Sequence, residues 1–384
     1  MRLPFQYAVR NLFRDPVRLL QTVAGSWLVV LLVMGAHALS LGMRETLRAS
    51  GSSRNVILLG AGSEESAQRS EVADRAAAMA EAGIAGIESV AGARSVSPEI
   101  HYMSPLFIAG RLSNDVLIRG VTPAALRTHR DVVLIDGQFH AAGEVIIGRL
   151  AWKRLGVAPE DLRPGAVVRL DNKDLTVRGS FAAPGTVFES EVWANLNDIR
   201  TLARRETVSC VVIRLTPDAD PSDAELFARQ RLDLELSAVT ERSYYERLAG
   251  FYAPVRAMTW LTSLLITVGA LFGGFNTLYA AFAARIREIG TLQAIGFSRT
   301  ALFISFLQES LLAALIGTLA AGVTASVLSD RFILYFSTGA FMLTLTPLTA
   351  LIGGVTGVGI GLLGVIAPAI RCLTPPLPSA LRAA

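Results

Sequence analysis

A chain of 384 residues that is 52% hydrophobic and only 18% charged, with a mean hydropathy of +0.45, is too apolar for a single soluble domain and belongs in a membrane. Its net charge of +4 comes from arginines spread over short segments beside apolar runs, which argues against a nucleic-acid surface. The two cysteines, Cys210 and Cys372, fall on opposite sides of the predicted membrane, which excludes a disulfide within the chain.

Residues 1–18 read as a cytoplasmic amphipathic helix. Phe5, Val9, Leu12 and Phe13 gather on one face, with Arg10 and Arg14 on another, as suits an inner membrane surface. Asp15-Pro16 then predicts a break and a restart. Leu19 to Met43 carries no charge and is long enough to span a bilayer, which gives a first transmembrane helix at 19–43. Ala36-His37-Ala38 resembles a leader-peptidase site, but the apolar run outlasts a signal h-region and favours retention.

Residues 44–255 have an ordinary globular composition and predict an α+β domain with a stalk. Strand signals lie at Asn55–Leu59, Val116–Val121, Val145–Gly148, Val187–Ala194 and Val208–Leu215, with a hairpin across Asp171-Asn172-Lys173-Asp174. Helix signals lie at Glu71–Val90, either continuous or interrupted near Gly83, and at Leu150–Leu155, Leu196–Arg205 and Pro221–Leu236, the last capped by Ser222 or Asp220. Glu241–Phe251 predicts a helix leading through Pro254 into the second span.

Three further spans follow, at 256–284, 300–329 and 345–370, with a tail at 371–384. Nine arginines (2, 10, 14, 18, 285, 287, 299, 371 and 382) against Asp15 and Glu288 mark the three flanking segments as cytoplasmic. The 44–256 region holds 26 basic and 28 acidic residues and falls on the far side. Both termini are therefore expected inside, with the large domain periplasmic.

Segment 285–299, RIREIGTLQAIGFSR, is the most informative. Ile286, Ile289, Leu292 and Ile295 would form an apolar ridge, and Arg285, Arg287 and Glu288 would offer charge-assisted contacts. Such a helix can seat in a partner's groove; the bland alternative is an ordinary inner loop. Gly290 and Gly296 permit close approach or termination.

Glu309 lies roughly 15 Å along the third span, where a carboxylate is costly and marks a functional candidate, read as a polar contact to another helix or to the 285–299 segment. Gly353, Gly357 and Gly361 in the last span, and Gly269 with Gly273 in the second, predict close helix packing, within one subunit or between two. His37 reads as a packing residue. His101, His129 and His140 show no metal-ligand spacing, and no nucleophile–base constellation is present. No stretch fits a phosphate-binding P-loop, since Lys153 and Lys173 are the only lysines.

The pattern Arg285-x-Arg287-Glu288-Ile289-Gly290-x-Leu292-x-Ala294-Ile295-Gly296 resembles the coupling segment of FtsX/MacB/LolCDE-type ABC transporter permeases. Ala8-Val9-Arg10-Asn11-Leu12 with Arg14 and Arg18 is similar to that family's first helix. The run from Gly143–Gly148 through Phe188–Trp193 is similar to its periplasmic core domain. The resemblance covers nearly the whole chain and implies four transmembrane helices, with a large extracytoplasmic α+β domain between the first and second.

It further implies a non-catalytic inner-membrane subunit without a fused ATPase. Two copies of a separate P-loop ATPase would bind ATP and Mg, and Arg285, Arg287, Glu288, Ile289, Gly290, Leu292, Ala294, Ile295 and Gly296 would form the coupling interface. A homodimer or a heterodimer with a related permease is implied, with contacts to membrane lipids and to a periplasmic adaptor or lipoprotein. The work done would be export or extraction of a lipid, lipoprotein or other amphiphile. The alternatives are an FtsX-like activator of a periplasmic cell-wall hydrolase and, in another class, a membrane-bound enzyme.

Overall fold

The computed structural model describes residues 3–139, 141–329, 333–336 and 339–374. His140, Arg2, Arg382 and the tail from 375 onward lie outside the described residues. The chain divides into two compact units: residues 1–41, 254–332 and 343–384 form one, and 42–253 with 333–342 form the other.

Among the described residues, four helices in the chain are long and apolar enough to cross a bilayer. The first runs Pro16–Ser50. It starts where expected because the Asp15 Oδ1 accepts the Arg18 amide at 3.1 Å and Pro16 opens the helix. The others are Ala253–Ala283, Arg299–Ser329 and Pro347–Leu373.

In the helical unit, close contacts follow the small residues. Added carbons at Gly353, Gly357 and Gly361 would strike Met34, Thr318 and the Leu311–Ala314 turn, so this stripe packs the last span onto the first and third. Gly317, absent from the sequence-based set, does the same against Ser26 and the Val23 carbonyl. Gly269 and Gly273 pack no helix within the single chain, since nothing among the described residues comes within 4 Å of a carbon added there. The second span turns much of its apolar surface outward, with Met258, Leu265 and Phe272 exposed. His37 Nδ1 meets Thr349 Oγ1 at 2.9 Å.

The second unit is built on a twelve-stranded sheet. From one edge its strands are Leu236–Thr240, Asn55–Gly60, Cys210–Arg214, Val96–Ser104, Val116–Val121, Val192–Asn195, Glu144–Gly148, Lys173–Ala182, Val167–Leu170, Phe107–Ile108 and Arg111–Leu112, with Val133–Gly137 also paired to Lys173–Ala182. Period-2 alternation sends Val56, Leu58, Val96, Ile100, Val116, Ile118, Val192 and Ile213 into one core, covered by helices Arg75–Gly83, Leu196–Leu202 and Ser222–Gln230.

Several predicted elements are shorter than their propensity suggested. The Ala-rich helix covers only Arg75–Gly83, since Val72 bridges Val208 and Ile84 and Ile87 turn into the core. Val187–Ser190 is a 3-10 turn before its strand, and the helix expected to reach Leu236 ends at Gln230.

The turn at Val187–Ser190 gathers three connections. Ser50, at the end of the first long helix, accepts the Val187 amide at 2.9 Å. Tyr245, on helix Glu241–Phe251, meets the Phe188 ring at 6.5 Å between centroids. A hairpin of Ile333–Phe336 and Gly339–Met342, from the loop between the third and fourth spans, packs on the same turn. Its buried Phe341 lies 6.1 Å from the Tyr252 ring.

Candidate functional site

The segment between the second and third spans folds as a helix, Ile286–Ala294. It stops because Gly296 adopts φ +106°, a conformation costly for any side chain, and Ser298 then caps the next span by accepting the Ala301 amide at 3.2 Å. Ile289 is 4% exposed and packs with Leu278, Phe282, Leu302 and Phe306, where the two phenyl rings stack at 4.2 Å. Burying such a side chain contributes about 1.5–3 kcal/mol.

The apolar ridge is therefore split, Ile289 turning inward and Ile295 outward. Ile289 and Gly290 are buried, and Leu292 is partly so. Within the chain, Ile289 and Leu292 pack against its own helices. Arg287, Ala294, Ile295 and Gly296 are exposed, as is Thr291, a position the sequence pattern does not single out.

Charge ties this helix to its neighbours. Arg14 donates to Glu288 at 2.7 Å, and Arg285 reaches Glu288 at 3.7 Å and Glu309 at 3.5 Å. Arg18 donates to the other Glu309 oxygen and to the Asn11 carbonyl, the latter at 3.3 Å. Arg14–Glu288 is largely exposed and worth little. Arg18 and Glu309 are buried, so each requires the other's charge. Glu309 thus joins the start of the first long helix to the segment ahead of the third span. The N-terminal helix, Phe5–Arg14, buries Ala8, Asn11 and Leu12, while Phe5 and Phe13 stay exposed, so its apolar face is split between protein and surroundings.

A second polar constellation, missed by the sequence pattern, lies on the sheet face opposite the apolar core. Register sets His101 beside Arg119, Cys210 beside Glu99 and Trp193 beside Arg119. Arg119 donates to both Glu191 oxygens at 2.7 and 2.6 Å, and through Nη1 to Glu99 and to His101 Nε2, each at 2.7 Å. His129 meets Glu99 at 2.8 Å and Glu241 at 3.6 Å.

Burial raises the pKa values of Glu99 and Glu191, but neighbouring cations more than offset this: His129 and Arg119 hold Glu99 well below the ordinary carboxylate value, and Arg119 holds Glu191 below it. Burial, then Arg119, pushes His101 down, in keeping with a neutral ring whose Nε2 accepts. Glu99, His101 and Cys210 offer three donor atoms within 4.8 Å of one another. The Arg119 guanidinium occupies the place a metal cation would take between the first two.

Residues 19–226, more than half of the chain, match the family model of the MacB-like periplasmic core domain, and residues 260–377 match that of the FtsX-like permease C-terminal region. Among solved structures, the periplasmic region of MacB from Actinobacillus actinomycetemcomitans is similar at 12% identity and TM-score 0.39, covering 53% of this chain and 96% of that one. The extracellular domain of the noncanonic ABC-type transporter YknZ from Gram-positive bacteria is similar at 14% identity and TM-score 0.38, covering 48% and 99%. No curated protein matches the chain.

Proposed function

The chain belongs to the FtsX/MacB-type permeases of ABC transporters, and from that premise we propose that it passes the work of a separate ATP-hydrolysing subunit to its extracytoplasmic domain. The observation that carries this reading is the ion-pair chain from Glu288 through Arg285 and Glu309 to Arg18. A push on helix Ile286–Ala294 would be felt at the first and third long helices without a flexible intermediary.

The chain itself is non-catalytic in this reading, and two ATPase copies bind ATP and Mg. Arg287, Thr291, Ala294, Ile295 and Gly296 form the docking surface, while Arg285, Glu288, Ile289, Gly290 and Leu292 position it. Both termini lie in the cytoplasm and the membrane is the bacterial inner membrane. Gly269 and Gly273 on the second span, where no described atom lies within 4 Å of an added carbon, support its pairing with a second permease. Extraction or export of a lipid, lipoprotein or other amphiphile is the work proposed.

Cross-linking tests the assignment. A photo-reactive residue at Ile295 in membranes of the native host should capture a P-loop ATPase in stoichiometric yield, whereas one at Val133 in the sheet unit should not. Modification of Ile295→Cys by an impermeant thiol reagent applied from outside would overturn the reading.

A further inference from the structure

The geometry points to a proton-binding site in the sheet unit, formed by His129 and Glu241, that grades the hold of helix Glu241–Phe251 on the Ser52–Asn55 segment. Glu241 is the first residue of that helix, and its Oε2 accepts the Ser52 amide and the Asn55 side-chain amide, each at 3.0 Å. Ser52 and Asn55 lie just beyond the end of the first long helix. One buried carboxylate thus pins together two pieces of backbone that lead, along the chain, to the first and second spans.

Both nitrogens of His129 face carboxylate oxygens, Nε2 that of Glu99 at 2.8 Å and Nδ1 that of Glu241 at 3.6 Å. A neutral imidazole would turn a lone pair toward one of them, so an ionised Glu99–Glu241 pair requires the imidazolium. Charge counting then singles out Glu241. Glu99, Glu191 and Glu241 are buried with Arg119 and His129, three potential anions against two cations.

The surrounding groups do not supply the missing charge. Two residues along the same strand as Glu99, His101 turns its Nε2 to an Arg119 N–H and stays neutral. Cys210 and Tyr245 are pushed up by burial and keep their protons. Tyr244 on the same helix is likewise pushed up by burial, and its hydroxyl accepts the Ala67 amide. Arg214 turns to Asn55, the Thr128 carbonyl and Glu88, and Arg54 and Arg130 also face Glu88. A proton on Glu241 is what neutralises the cluster, and burial pushes Glu241 above its ordinary value in the same sense.

Protonation converts the acceptor of the Ser52 amide from a carboxylate to a neutral acid, which weakens that bond. It also sets an O–H against the His129 N–H. The hold therefore loosens as the outside acidifies. Its bearing on transport rests on the function proposed above, but the proton site does not.

The test uses the full chain in detergent, without any ATPase, so its failure leaves the coupling assignment untouched. Trp193 lies 5.9 Å from the His129 ring and bonds Glu191 at 2.8 Å. With Trp27, Trp152 and Trp260 changed to Phe, its fluorescence should show a one-proton transition between about pH 8 and pH 4.5. Glu241→Gln, which keeps an acceptor oxygen, should abolish that transition. In the wild-type chain, hydrogen-exchange protection of the Ser52 amide, corrected for intrinsic rate, should fall about tenfold across the same range. A flat Trp193 profile, an unaltered transition in Glu241→Gln, or constant Ser52 protection would each overturn the proposal.

Discussion

Arg119→Met removes the cation that two buried carboxylates share. The wild-type guanidinium makes four contacts of 2.6–2.7 Å, and Glu99, Arg119 and Glu191 are all at most 3% exposed. Breaking a buried pair in this way costs about 3–5 kcal/mol, because the partner left behind keeps its desolvation penalty. For a unit of roughly 200 residues each kcal/mol moves Tm by about 2–4 °C, so Tm should fall by about 6–20 °C.

The pH dependence separates this cause from lost packing. In the wild type, Glu99 and Glu191 have folded pKa values below their ordinary 4.5, so their contribution is present above that value and is lost as pH falls through the folded ones. In Arg119→Met, Glu99 keeps His129, but burial raises Glu191, which has lost its cation, and its protonated form favours folding. The gap between wild type and variant should therefore narrow as pH falls toward 4.5. Near-UV circular dichroism melts of the full chain in detergent measure it. A Tm loss of under about 2 °C, or a gap that is constant with pH, would refute the electrostatic reasoning.

Two contrasts test the helical unit. Gly317→Leu drives a side chain into Ser26 and the Val23 carbonyl and should lower the melting temperature by several degrees, whereas Gly273→Ala meets no atom within 4 Å and should be neutral for the single chain. In the coupling helix, Arg287→Glu should weaken co-purification of the ATPase without changing the melt. Ile289→Asp places an unpaired carboxylate among Leu278, Phe282 and Phe306 and should destabilise the unit itself. Equal behaviour of the last two variants in the melt would contradict the division into exposed and positioning residues.

The sequence discloses the four long helices and the inserted domain because charge-free stretches and arginine bias are strong one-dimensional signals. The strand Val96–Ser104 was not legible. Pro98 interrupts it, and Ser97, Glu99 and His101 read as a solvated face because alternation cannot distinguish water from a second buried layer. The coupling segment's apolar period was visible, but periodicity does not say whether a ridge faces a partner or its own chain; Ile289 faces inward. Glu309 announced itself as a costly intramembrane acid. Its partner Arg18 looked like one more positive flank, since only folding brings two residues 291 positions apart together.

The strand Gly339–Met342 seats on the Val187–Ser190 turn although its residues lie between the third and fourth spans. The outer module is thus discontinuous in the gene. A chimaera that transplants 42–253 alone would strand Phe341 against a foreign surface and leave the donor turn uncovered. Exchanging the whole sheet unit between relatives requires moving both pieces of DNA at once.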